Sequence, residues 1–259
     1  MPHACETPMT PFLLILKTGD TFADMARELG DFEDWIRRGL QEPPREVRVI
    51  DARLTSELPS LDELAGVIIT GSHDMVSHRA PWSEALAQWL AQAVRADVPV
   101  LGICYGHQLL AHAMGGEVGD HPQGLEVGTV PISLDEQAQD DPLMGGLPVT
   151  FLGQMVHQQS VRRLPPGAVR LAHSAHEPHA AFRVGRRAWG VQFHPEFSPA
   201  AMCGYIAHLS EELHHQGADP QAMRESVKAT DWAAALLVRF GRLSCKRMPH
   251  GDASYADGR

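Results

Sequence analysis

Val98-Pro99-Val100-Leu101-Gly102-Ile103-Cys104-Tyr105-Gly106-His107-Gln108 is an apolar run that turns into a helix at a cysteine. Residues 98–103 are apolar throughout, as in a strand covered on both faces. Residues 105–114 predict a helix, which Gly115-Gly116 ends. Gly102 and Gly106 let strand and helix approach closely around a tight turn. Cys104 then projects beyond the sheet, in the position serine holds in a nucleophile elbow. A helix N-terminus beneath the sulfur favours the thiolate, and the amide of Tyr105 is placed to donate to an oxyanion. Taken alone, the segment also fits a buried structural cysteine at a strand end.

Outward from this turn, short apolar runs alternate with helical patterns. Phe12–Leu16, Val47–Ile50 and Val67–Thr70 predict strands. Residues 22–40 predict one helix, stopped by Pro43-Pro44, with Phe32, Trp35 and Ile36 on one core-facing side. Pro81 starts another helix, in which Trp82, Ala85, Leu86, Trp89, Leu90 and Ala93 form an apolar face. Strands alternating with helices predict a parallel sheet covered on both faces. After Glu117 the texture becomes β-rich: 127–134, 149–152, 168–172, 180–184 and 188–193 predict strands. This gives a mixed sheet within a single domain over residues 1–245, with a core at about 10–210. Helices are expected over 200–214 and about 219–243, and a disordered tail over 246–259. Trp232, Ala235, Leu236, Arg239 and Phe240 recur at helical spacing. They fit a helix packed on its own domain, or one that docks a partner or a second copy of the chain.

Composition narrows the function classes. The 259 residues carry 44% hydrophobic side chains and a net charge of −10, so a core forms without staples. The acidic balance argues against nucleic-acid or anionic-membrane partners. Cys5, Cys104, Cys203 and Cys245 form no C-x-x-C pair, which disfavours a disulfide framework or zinc ribbon. Free thiols suit a cytoplasmic compartment. Neither a signal peptide nor a membrane-length apolar run is visible.

A second segment completes the first. Trp189-Gly190-Val191-Gln192-Phe193-His194-Pro195-Glu196 predicts a strand ending in His-Pro-Glu. In extended chain residues two apart share a side, so the Glu196 carboxylate can orient the His194 imidazole, leaving its other nitrogen for a thiol. Of the chain's 15 histidines, His107 and His112 share a helix face poorly. His173, His176 and His179 lack a completing carboxylate or cysteine pattern, and no metal is expected.

Residues 100–108 and 190–196 resemble the nucleophile and histidine–glutamate signatures of class I (triad) glutamine amidotransferases, in the family's order and spacing. Ile69-Thr70-Gly71-Ser72 resembles the family's glycine loop. Residues 124–128 and 157–161 resemble the subgroup near the amidotransferase domain of GMP synthetase. The resemblance implies a flavodoxin-like three-layer α/β sandwich with a mixed, mostly parallel central sheet. It implies Cys104, His194 and Glu196 as the catalytic residues, with Gly71 and Tyr105 supplying oxyanion amides. Gln108 and the backbone at Gln158 and Gln159 would hold substrate, although those two glutamines depart from the small or acidic residues usual there. Leu125 and Val127 depart from the arginine and tyrosine of authentic GMP synthetases. The chemistry implied is hydrolysis of glutamine through a γ-glutamyl thioester, without a cofactor.

No synthase domain and no phosphate loop of the G-x-x-x-x-G-K-[ST] type is visible, so the expectation is a synthase on a separate chain, or none. Three functions fit: an amidotransferase subunit or glutaminase, a γ-glutamyl peptide or γ-glutamyl amine hydrolase, and a silent binding module that kept the fold.

Overall fold

The strands of the first half bury both faces. In β1 (Phe12–Lys17), Phe12, Leu14 and Leu16 enter one apolar cluster while Leu13 and Ile15 enter another, because successive strand side chains point to opposite sides. β3 (Leu64–Ile69) and β4 (Val100–Ile103) divide likewise: Val67, Ile69 and Val100 join the first cluster, and Ile68, Leu101 and Ile103 the second. In the computed structural model, which describes residues 10–41, 46–55 and 57–245, helices close both clusters. α3 (Pro81–Arg95) and α4 (Tyr105–Ala113) cover the first through Leu86, Leu90, Leu109 and Leu110. α2 (Phe32–Gly39) and α8 (Asp231–Cys245) cover the second through Ile36, Leu236, Leu237 and Phe240. The result is a three-layer α/β sandwich.

Nine strands form the central sheet among the described residues, in the order β2-β1-β3-β4-β11-β10-β9-β6-β7. β2 (Val47–Asp51), β1, β3, β4 and β11 (Ala188–Val191) run parallel to one another. β10 (Ala181–Val184), β9 (Val169–His173), β6 (Glu126–Leu134) and β7 (Thr150–His157) continue the sheet in antiparallel pairs. β5 (Glu117–Asp120) and β8 (Gln159–Arg163) form a separate antiparallel pair. Among the described residues, no helix is long and apolar enough to cross a membrane.

Three helical expectations change. The helix expected over 22–40 is two: α1 (Ala23–Leu29) ends at Gly30, whose φ of 86° favours glycine. α2 restarts from Asp31, which accepts from the Phe32 amide at 2.8 Å and forms a capping box with Asp34. The Pro43-Pro44 stop lies outside the described residues, as does the tail from 246. The helix expected over 200–214 divides at Leu209 into α5 (Pro199–His208) and α6 (Ser210–His215). The last expected helix divides into α7 (Pro220–Ser226) and α8. Between them Gln154 Nε2 donates to the Lys228 carbonyl at 2.8 Å, and the Lys228 amide donates to Thr129 Oγ1 at 3.2 Å. Side chains of β6 and β7 thus capture the backbone outside a helix. On α8 the buried face is Ala233, Leu236, Leu237 and Phe240, whereas Trp232 is 50% exposed. The helix packs on its own core, and Trp232 does not share that face.

A third apolar cluster lies around α1, α2, α5 and α6, and includes Met25, Phe32, Trp35, Phe197, Met202 and Tyr205. It packs beside the histidine–glutamate segment that follows β11.

Candidate active site

Register brings the predicted residues to one sheet edge. Ile69 of β3 pairs with Gly102 of β4, and Val191 of β11 with Ile103. Because these strands are parallel, the segments that follow them, Thr70-Gly71, Cys104-Tyr105 and Gln192–Glu196, emerge side by side. The carboxyl edge of a parallel sheet is where such folds place their sites.

Cys104 sits between β4 and α4 with φ 50° and ψ −99°. A non-glycine residue held there stores roughly 1–3 kcal/mol of strain, so the surroundings must impose the turn. They do so through Gly102 and Gly106. A Cβ on Gly102 would lie 2.8 Å from the His107 nitrogen, and one on Gly106 would lie 2.6 Å from the Ile69 carbonyl oxygen. The Cys104 amide donates to the Val191 carbonyl at 2.9 Å, and its sulfur lies 3.5 Å from the Val156 carbonyl oxygen. The Tyr105 hydroxyl lies 2.6 Å from Ser83 Oγ. Its amide, in the first turn of α4, has no carbonyl to meet within the helix.

His194 and Glu196 do pair: Nδ1 lies 2.8 Å from Glu196 Oε1, and both side chains are buried. They do so in a turn rather than a strand. β11 ends at Val191, and His194 is held by its amide bond to the Gln154 carbonyl at 2.8 Å. Phe197 packs against the imidazole with ring centres 4.1 Å apart. Burial opposes charge on this ring, but the Glu196 carboxylate and the Cys104 sulfur outweigh it and raise the His194 pKa to about 10. The site therefore favours an imidazolium beside the sulfur.

Gly71 is the third point of convergence. A Cβ there would lie 3.1 Å from His194 Cε1 and 3.8 Å from Cys104 Cβ. Its peptide is clamped by Thr18 at the end of β1, whose hydroxyl lies 3.0 Å from the Thr70 carbonyl oxygen and 3.1 Å from that of Gly71. Thr70 Oγ1 in turn accepts from the Thr18 amide at 3.0 Å. In a trans peptide the carbonyl and the following N–H point oppositely. With the Thr70 carbonyl held toward β1, the Gly71 N–H faces the β4 side, where Cys104 lies.

The expected substrate-holding glutamines have differing places. Gln108 Nε2 donates to the Gln159 carbonyl at 2.8 Å and to Gln192 Oε1 at 3.0 Å, which uses both of its amide hydrogens. The Gln159 side chain bonds Ser77 Oγ at 2.6 Å and Asp120 Oδ1 at 2.9 Å, so it ties β8 to β5 and to the loop after β3. Gln158 is exposed. All three line a cavity of about 310 Å³ over Cys104, which also touches His157, Asp74 and Tyr205. Among the described residues, no lysine or arginine lines it.

Sequence reasoning missed Thr18, Val156 and Tyr205. Thr18 had a usable signal, since it follows a parallel strand at its carboxyl end. The other histidines have separate partners: His112 pairs with Glu84 at 2.9 Å, His173 with Asp135 at 2.9 Å, and His179 with the Val161 carbonyl at 2.6 Å. His107 is fully buried beneath Gly190 and held down to about 3 by that burial, hence neutral. Among the described residues, no group of three or more His, Cys, Asp or Glu side chains is arranged to hold a metal.

A family model, Glutamine amidotransferase class-I, matches residues 28–208. The chain belongs to the class I glutamine amidotransferase family. A GMP synthase (glutamine-hydrolyzing) of a Synechococcus species is 35% identical over 237 residues, covering 90% of this chain and 39% of that protein. Its counterpart in Aeropyrum pernix is 34% identical over 168 residues, covering 64% of this chain and 31% of that protein. This amidotransferase chain thus spans about a third of the length of the curated relatives it matches. Among solved structures, a glutamine amidotransferase from Thermotoga maritima superposes with a TM-score of 0.69 at 22% identity, over 92% of this chain and 99% of that one. One from Methylobacillus flagellatus gives 0.67 at 26%, over 92% and 93%.

Proposed function

We propose that this chain hydrolyses the side-chain amide of glutamine to glutamate and ammonia, with Cys104 as nucleophile and His194, oriented by Glu196, as proton carrier. The observation that carries this reading is the meeting of a strained cysteine turn with the buried His194–Glu196 pair at 2.8 Å. The Cys104 sulfur attacks the amide carbon and forms a C–S bond. His194 gives its proton to the amide nitrogen, the C–N bond breaks, and ammonia leaves a γ-glutamyl thioester. Water then attacks the thioester carbon while His194 takes its proton. The C–S bond breaks, glutamate departs, and thiolate and imidazolium are restored.

Each addition places negative charge on the carbonyl oxygen. The amides of Gly71 and Tyr105 meet it in this reading, each worth on the order of 3 kcal/mol if they match known oxyanion donors. Gln108 then acts by fixing the Gln159 backbone rather than by donating to substrate. With no lysine or arginine among the described residues lining the cavity, backbone amides, side-chain amides and imidazoles are left to meet the substrate's α-carboxylate in this reading. A reducing compartment such as the cytoplasm suits a free catalytic thiol. The taker of the ammonia, in this reading, is a synthase.

The test is glutamate release from glutamine by the purified chain, with Cys104→Ala beside it. Turnover that the substitution abolishes supports the reading; equal turnover by both proteins sinks it.

A further inference from the structure

We propose that the same cavity takes γ-glutamyl amides whose leaving amine carries an apolar, ring-sized body, and takes them in preference to small ones; the inference rests on the cysteine hydrolase reading above. The leaving nitrogen must lie within reach of His194, which protonates it. From that imidazole an aromatic wall runs outward. Phe32 stacks at 6.4 Å from the His194 ring centre and lies 6.4 Å from His73. His73 is 4.7 Å from Phe22 and 5.8 Å from Tyr205, and Phe22 is 5.1 Å from Tyr205. Phe22, Phe32, His73 and Tyr205 all line the cavity, and Leu209 extends the wall.

These rings come from the start of α1, from α2, from the loop after β3 and from α5; Phe32 and Tyr205 belong to the third apolar cluster and Phe22 packs against it, while His73 stands outside that cluster, at the cavity. They are also held in place. Tyr205 Oη accepts from Thr21 Oγ1 at 3.1 Å and lies 3.0 Å from His73 Nε2, while His208 stacks on Phe22 at 3.9 Å. Tyr205 Oη and His73 Nε2 are thereby engaged with each other; Phe32 and Tyr205 are buried and back the wall, and the ring surface left to the cavity is that of Phe22 and His73. Much of the remaining lining is polar, with Gln108, His157, Gln158 and Gln159, as the amino-acid end of a γ-glutamyl group requires. Ammonia has no carbon to place against the wall, whereas a benzyl-sized amine would displace water from it. Atoms balance as for glutamine: C–S forms, C–N breaks, the nitrogen takes the His194 proton and leaves as a neutral primary amine, and water releases glutamate.

The experiment compares kcat/KM for glutamine, γ-glutamyl methylamide and γ-glutamyl benzylamide; benzylamine is the less basic leaving amine of the last two, so the loss of preference in Phe22→Ala, and not the ratio alone, reads the wall. A benzyl-to-methyl ratio of about ten or more is expected, falling about tenfold in Phe22→Ala. Because a ratio does not depend on the fraction of folded enzyme, the variant stays informative if it is unstable. A ratio near one, or one that Phe22→Ala leaves unchanged, overturns the subsite. If glutamine is still hydrolysed in a Cys104-dependent way, the hydrolase reading stands and the wall is left to a docking partner. Absence of Cys104-dependent hydrolysis of all three overturns both.

Discussion

Replacing Gly71 by alanine adds one carbon at the point where three strand-end segments converge. The φ of Gly71 is not positive, so alanine meets no backbone penalty, and its effect comes from contacts alone. The new Cβ would lie 3.1 Å from His194 Cε1, a few tenths of an ångström inside ordinary contact. The imidazole has little room to retreat: Phe197 packs on it at 4.1 Å, its Nδ1 is bonded to Glu196 at 2.8 Å, and its amide is bonded to the Gln154 carbonyl. Misplacing a reacting group by about 1 Å costs around a hundredfold in rate, so a third to a half of that displacement predicts a loss of roughly five- to tenfold in kcat/KM, or ~0.9–1.4 kcal/mol of barrier. Stability should move little, because glycine-to-alanine gains about 0.4–1 kcal/mol through the unfolded chain and the tight contact offsets it. The assays are steady-state glutamine hydrolysis and thermal unfolding. Activity within twofold of the parent protein, or a loss that only tracks unfolding, would refute the placement of Gly71 against a reacting His194 ring.

Three other changes test separate parts of the site and frame. With His194 raised to about 10, kcat/KM should fall on an alkaline limb near that pH. Glu196→Gln should move the limb toward the ordinary histidine range; a limb that does not move would show that Glu196 does not hold the proton. The same raised pKa makes the pair's contribution to stability full below about 6.5 and lost as pH rises through the folded value, readable as a falling unfolding midpoint in alkaline buffer. Thr18→Val removes the hydroxyl that clamps the Thr70 and Gly71 carbonyls and should lower kcat up to about tenfold with KM near its starting value, while Thr18→Ser restores it; equal damage in both variants would argue against the clamp. Asp141 is fully buried and accepts from Arg183 Nε at 2.9 Å, Trp189 Nε1 at 3.0 Å and the Leu143 amide at 2.9 Å. Asp141→Ala should therefore cost about 3–5 kcal/mol in urea unfolding, with no change in the pH profile of the folded fraction.

How far sequence could be read depended on how local each signal was. Cys104 and its two glycines are consecutive with the strand and helix that impose the turn, so their pattern is legible without a fold. His194 and Glu196 were legible as a pair, yet the extended geometry expected for them is absent: β11 stops at Val191, and a turn brings the carboxylate to the ring. The break at Gly30-Asp31 escaped because α1 and α2 keep one apolar phase across it. β5 and β8 are short and bounded by Glu117, Asp120, Gln159 and Arg163, so no alternation marks them. The Thr18 clamp, the seat of Gln159 and the aromatic wall join residues far apart in the chain, and only strand order reveals them.

β4 and β11 are neighbours in the sheet, but all of β5 to β10 lies between them in the chain. Cys104 and His194 therefore meet only after a long excursion has closed on itself, a contact of high sequence separation and hence slow to form. A nascent chain that has completed β4 and the turn after it carries Cys104, yet it does not have His194 to set beside the sulfur. Amidase competence should appear as one of the last events of folding, which makes the recovery of glutamine hydrolysis after dilution from denaturant a clock for closure of the whole sheet rather than of its parallel half.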